Sequence, residues 1–100
     1  MNITTTINGN KAQISLTGKL TVATSPELET EISNLPESVK EIELDLTDLE
    51  YISSAGLRVF VATHKLTEQR DGSMVIRHPS SEVYDIFEMT GLADIFTIER

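Results

Sequence analysis

The chain has no cysteine, no tryptophan, three prolines and only five aromatic residues in 100. Without cysteine there is no disulfide framework, no thiolate zinc site and no cysteine nucleophile. With so few aromatics the core has to be aliphatic, built from leucine, isoleucine and valine. Cations are scarce as well: eight lysines and arginines stand against sixteen carboxylates, a net charge of −8. That balance argues against nucleic acid and anionic membrane as partners and favours neutral or basic protein surfaces. No apolar run approaches the roughly 20 residues a membrane span needs. The N-terminus lacks the basic region and apolar stretch of a secretory leader, so the expected location is cytoplasmic. Two histidines, His64 and His78, are too few and too scattered for a metal site. No metal and no cofactor is expected.

What is present is an ordinary globular composition, 39% hydrophobic and 24% charged. It suffices for one domain, residues 1–100, with a real core. Ile3, Thr5 and Ile7 alternate on one side of a β-branched segment. Asn8-Gly9 is a hairpin signal, and Ala12, Ile14 and Leu16 alternate after it. The pattern predicts antiparallel strands at about 2–8 and 10–18, the second ended by Gly18. Thr24-Ser25-Pro26-Glu27 opens a helix with Leu28, Ile32 and Leu35 inward, and Pro36 stops it. Ile42, Leu44 and Leu46 mark a third strand, alternating with acids as in a sheet only partly covered on its second side.

Beyond a polar turn, Leu57 to Leu66 is mostly apolar and predicts a largely buried helix closed by Asp71-Gly72. Met74-Val75-Ile76 predicts a short buried strand. His78-Pro79-Ser80-Ser81 leads into a third helix with Val83, Ile86, Phe87 and Thr90 inward. Gly91 ends that helix, and Phe96 and Ile98 form a last strand. The order β-β-α-β-α-β-α-β implies a partly parallel sheet carrying packed helices. The second helix starts at the carboxyl end of strand 3, where such sheets commonly hold their working residues.

That junction, Asp45-Leu-Thr-Asp-Leu-Glu-Tyr-Ile-Ser-Ser-Ala-Gly-Leu-Arg58, is the most informative stretch. Ser53 and Ser54 open the helix, where backbone N–H groups lack partners. A hydroxyl there caps, and a phosphate there meets the positive end of the helix dipole. Asp45 and Asp48 either hold the turn through backbone N–H groups or are solvated. Gly56 permits close backbone approach. Tyr51 and Ile52 either offer apolar contacts to a partner or plug the core. Arg58 is an interface residue or a solvated charge. A serine hydrolase is disfavoured: no glycine stands two residues before either serine, neither histidine has an evident acid partner, and there is no glycine-rich phosphate loop.

The same stretch resembles the STAS domain family, the fold of bacterial anti-sigma-factor antagonists. The resemblance is carried by Asp45-Leu46-Thr47 at the strand end and by Ser53-Ser54-Ala55-Gly56-Leu57 at the helix opening. Gly18-Lys19-Leu20, Val83-Tyr84-Asp85-Ile86-Phe87 and Thr90-Gly91-Leu92 extend it over nearly the whole chain. Anchored on Gly56-Leu57, Ser54 falls on the family's phosphorylated serine. Ser53 falls where aspartate is frequent, and Ala55 where a second serine or threonine is frequent.

The resemblance implies an α/β, STAS-like fold: a mixed four- to five-stranded sheet with helices mainly on one side. It implies a non-enzymatic regulator. Unphosphorylated, the domain would bind an anti-sigma factor that is also a serine kinase, and so free a sigma factor. Phosphorylation of Ser54, with Ser53 as the alternative, would end binding, and a serine phosphatase would reset the cycle. Asp45, Thr47, Tyr51, Ile52, Ser53, Ser54, Ala55, Gly56, Leu57 and Arg58 would form the partner surface. The alternative is a STAS regulatory or scaffolding subunit of a transporter or stress-signalling complex.

Overall fold

The computed structural model describes all residues, 1–100. Five strands and three α-helices follow the expected order: β1 (Asn2–Asn8), β2 (Lys11–Leu20), α1 (Ser25–Ser33), β3 (Glu41–Ile52), α2 (Ser54–Gln69), β4 (Ser73–Arg77), α3 (Ser81–Met89) and β5 (Thr97–Glu99). A short 3-10 turn at Leu92–Asp94 precedes β5. The strands lie side by side in chain order. β1 and β2 are antiparallel, and every later pair is parallel.

Register decides which side is wet. Ala12, Ile42 and Met74 sit in one row across β2, β3 and β4, and Ile14, Leu44 and Ile76 in the next. All six are buried. They meet Leu28 and Ile32 of α1, Val59 and Phe60 of α2, and Val83 and Phe87 of α3 in one core cluster. As composition required, that cluster is mostly aliphatic. Its exception is a knot of Phe60, Phe87 and Phe96, with ring centroids 5.9–6.5 Å apart, which ties α2, α3 and the C-terminal segment together. The rows between, such as Gln13–Glu43–Val75, form the open side of the sheet. Glu43 is only 6% exposed there. Lys11 stands 3.4 Å from its carboxylate and Arg77 lies against it from β4, so flanking charges cover it.

Several expectations are corrected. The hairpin turns at Gly9-Asn10, with Asn8 paired to Lys11. β2 does not end at Gly18 but runs on to Leu20. β3 does not give way to a polar turn; it continues to Ile52. Against β2 its register slips twice, between Ser15 and Thr17 and between Gly18 and Lys19, and each slip gives β3 one extra residue. A bulge returns the next side chain to the side it left. Leu46, Leu49 and Ile52 are therefore all buried at a spacing of three, which does not read as a strand.

Helix α2 is half buried, not largely so: Val59, Phe60, Thr63 and Thr67 point in, while Ser54, Arg58, Ala62 and Lys65 are exposed. Thr90 is exposed rather than inward, its hydroxyl turned back to the carbonyls of Ile86 and Phe87. At the end of α2 the left-handed residue is Asp71, with φ of 58°. Gly72 serves a different need: a Cβ there would lie 1.6 Å from the carbonyl oxygen of Lys40.

Candidate functional site: the mouth of helix α2

The parallel strands β2 and β3 end together, and α2 starts where β3 stops. The Ser53 N–H donates to the Leu20 carbonyl at 2.8 Å, which ties the junction to the end of β2. Ser53 is the N-cap, extended at φ −90° and ψ 171°, and its Oγ accepts from the Gly56 N–H at 3.2 Å. Its carbonyl accepts from the Leu57 N–H at 2.9 Å. At 8% exposure Ser53 is buried. Ser54, the first helical residue, is exposed. The two adjacent hydroxyls thus have different positions: one satisfies the backbone inside, the other faces solvent.

Gly56 makes this seam possible. A Cβ there would lie 2.7 Å from Leu20 Cδ2 and 2.9 Å from Ile52 Cγ1. The first turn of α2 rests directly on two core side chains.

The charge around the mouth is distinctive. The first turns of α1 and α3 carry Glu27 and Glu82, whereas that of α2 carries no acid. No acid within its own first turn offsets its dipole. Arg58 lies one turn along from Ser54, exposed. Arg70 donates to the carbonyls of Pro36 and Val39, Arg77 pairs with Glu43 and Glu99, and Arg100 stacks over Tyr84. Arg58 is the one arginine without such a partner. Helical side chains lean toward the N-terminus, so Arg58 leans over the turn that holds Ser54.

The expected partner surface is only partly brought together. Ser54 and Arg58 are exposed, Ala55 and Leu57 are half-buried, and Tyr51 is 46% exposed. Ile52 is 2% exposed and belongs to the core, and Ser53 and Gly56 are buried. These three shape the corner from beneath and present no side chain to a partner. Asp45 and Thr47 lie earlier on β3, at the first bulge. Asp45 Oδ1 accepts from Thr47 Oγ1 at 2.7 Å and from the Thr47 N–H at 3.0 Å. Partial burial acts to raise the Asp45 pKa, but those two hydrogen bonds, helped by the charges of His78 and Arg77, outweigh it and hold the carboxyl below its ordinary value. Asp48 is exposed.

Val22 escaped the sequence reading. It is 72% exposed in the link between β2 and α1. With Pro26, Glu29, Ala55, Arg58 and Val59 it lines a hollow of about 300 Å³ beside the mouth of α2. A second hollow of about 330 Å³ continues between α1 and α2, past Ile32, Ala62 and Leu66. An isolated valine in a polar link carries no periodic signal; only the packing of α1 beside α2 gives it apolar neighbours.

Compared with known proteins, residues 2–100 match the family model described as the STAS domain. The chain belongs to the STAS domain family. A curated relative, the anti-sigma-B factor antagonist of Bacillus subtilis (strain 168), is 32% identical over 98 residues, which cover 98% of this chain and 90% of the relative. The structure of the anti-sigma factor antagonist SpoIIAA in its unphosphorylated form superposes with a TM-score of 0.84 at 18% identity, covering 99% of this STAS domain and 89% of SpoIIAA. The phosphorylated form of the Bacillus SpoIIAA gives 0.79 at 18% identity, over 99% and 92%. The two SpoIIAA structures support the fold, the mixed sheet with its helices. The curated relative is named as an antagonist, a binding regulator rather than an enzyme.

Proposed function

We propose that this STAS domain is an anti-sigma-factor antagonist whose binding is controlled by phosphorylation of Ser54. The relative's name supplies the partner class. The observation that carries the control is the division of labour at the helix mouth: Ser53 buried as the cap, Ser54 exposed on an acid-free first turn, Arg58 free one turn away. A kinase can reach Ser54 without unfolding anything. Ser53 would have to break its cap first, so Ser54 is the preferred acceptor.

Phosphorylation adds about −1.5 to −2 charges. A helix N-terminus stabilises such an anion by about 0.3–2 kcal/mol, so the fold persists. The surface is what changes. In the free state Val22, Ala55 and Arg58 line a hollow beside the helix mouth, where the exposed Ser54 hydroxyl is neutral, and a partner can pack there. In the modified state a hydrated dianion must lose its water to allow the same contact. Blocking a central interface group costs about 2 kcal/mol or more, a factor of about 30 in affinity. The modifying enzyme in this reading is the anti-sigma factor itself, acting as a serine kinase; a serine phosphatase reverses it, and the cycle runs in the cytoplasm.

The test is incubation with the cognate kinase and ATP, intact-mass analysis and peptide mapping. One phosphate on the peptide containing Ser54, lost in Ser54→Ala, is the expected result. An unmodified Ser53-Ser54 peptide refutes the reading. Capture of an anti-sigma factor by the unmodified chain, and not by the modified one, tests the binding half.

A further inference from the structure

Strand β1 reads Asn2-Ile3-Thr4-Thr5-Thr6-Ile7-Asn8, the same in either direction about Thr5. It is also an edge of the sheet, with β2 on one side and no strand on the other. We propose that two copies of this chain associate through β1, antiparallel about a two-fold axis at Thr5, joining their five-stranded sheets into one. A two-fold contact must be self-complementary: if one residue meets another, the second must meet the first across the axis. The palindrome meets that condition with like facing like. Ile3 stands opposite the second copy's Ile7, Thr4 opposite Thr6, and Asn2 opposite Asn8. Threonine pairs and β-branched pairs are favourable across antiparallel strands.

The edge is unguarded. Sheet edges usually discourage such pairing with charge, proline, a bulge or short length. β1 has none of these: it is seven residues long, uncharged, and pairs with β2 from Asn2↔Thr17 to Asn8↔Lys11 without a slip. The opposite edge, β5, is three residues long and ends in Glu99 beside Arg100. Ile7 is 48% exposed, and the pairing would set the second copy's Ile3 beside it. In a chain of net charge −8, two copies meet least repulsion along an uncharged stretch. One carboxylate reaches the strand: Glu31 Oε2 accepts from Thr5 Oγ1 at 3.0 Å. It would near its own copy at the axis, so added salt should tighten the contact. β1 is two strands away from β3, so the mouth of α2 stays open in the dimer, and this inference stands or falls separately from the proposed phosphorylation.

The test is sedimentation velocity of the full chain from about 5 to 500 µM, a range suited to a contact smaller than a standard interface. A reversible monomer–dimer equilibrium that tightens with salt is expected. Thr4 and Thr6 are exposed on the open side, so their replacement leaves the monomer folded, as a thermal melt will verify. Thr4→Lys with Thr6→Lys sets lysine against lysine twice across the axis and should weaken the dimer by about tenfold or more. Thr4→Lys with Thr6→Glu sets lysine against glutamate at the same places and should restore it. A chain that stays monomeric throughout, a dimer that survives the double lysine, or a failure of the lysine–glutamate pair to rescue each overturns the inference.

Discussion

Replacing Gly56 by valine asks how tightly the mouth of α2 is seated. Gly56 is helical, so the cost is packing rather than backbone strain. Its Cβ would sit 2.7 Å from Leu20 Cδ2 and 2.9 Å from Ile52 Cγ1, and those residues are 0% and 2% exposed. Neither can swing into solvent; both must push into the core. Overpacking of this kind costs about 1–3 kcal/mol. Alanine recovers up to about 1 kcal/mol of helix propensity, which leaves a net loss of about 1 kcal/mol. Valine adds two more methyl groups and, being β-branched, recovers less, so about 3 kcal/mol is expected. For a domain of this size 1 kcal/mol moves the thermal midpoint by about 4–8 °C. Gly56→Ala should therefore melt about 5 °C lower and Gly56→Val more than about 10 °C lower, read by circular dichroism. Leu20→Ala in the valine background should be less than additive, because it removes the atoms being struck. A valine variant melting at the wild-type midpoint would refute the close approach.

The two serines should separate under mutation: Ser53→Ala loses the cap and about 1 kcal/mol of stability, whereas exposed Ser54→Ala stays within about 0.5 kcal/mol, both read by urea titration. In binding the order reverses: Ser54→Asp should stay folded and bind the anti-sigma factor weakly, and Ser54→Ala should bind even with kinase and ATP present, as titration calorimetry will show. Thr47→Val removes the hydroxyl that donates to Asp45 but keeps the backbone donor, so the Asp45 pKa should rise toward its ordinary value, followed by carboxyl NMR. A lowered folded-state pKa contributes stability above the unfolded value of about 3.9, and that stability is lost as pH falls through the folded one. Wild type and Thr47→Val should therefore differ at neutral pH and converge in acid.

The element order was legible because most elements keep one period. Leu28, Ile32 and Leu35 mark the inner side of α1, and Ala12, Ile14 and Leu16 that of β2; all are buried. The second half of β3 was not legible, because its two bulges turn a period of two into a spacing of three at Leu46, Leu49 and Ile52. Burial of Glu43 was hidden for a similar reason. An acid in an alternating strand reads as wet, and only the neighbouring strands bring Lys11 and Arg77 over it. At the helix mouth the motif pointed to two serines without ranking them physically. Ranking needed the cap bond from the Gly56 N–H to Ser53 and the exposure of Ser54.

The sequence by itself determined the aliphatic core, the acidic surface, the alternation of strands and helices, and the serine pair at the start of α2. These follow from composition and from patterns within a dozen residues, where covalent neighbours and local backbone preferences act. Only the tertiary structure decided which hydroxyl faces solvent, that Ile52 is core while Tyr51 is exposed, and that Val22 sits beside Ala55 and Arg58. Those outcomes depend on how β2, β3 and α1 meet α2, contacts between segments some thirty residues apart that no local period encodes.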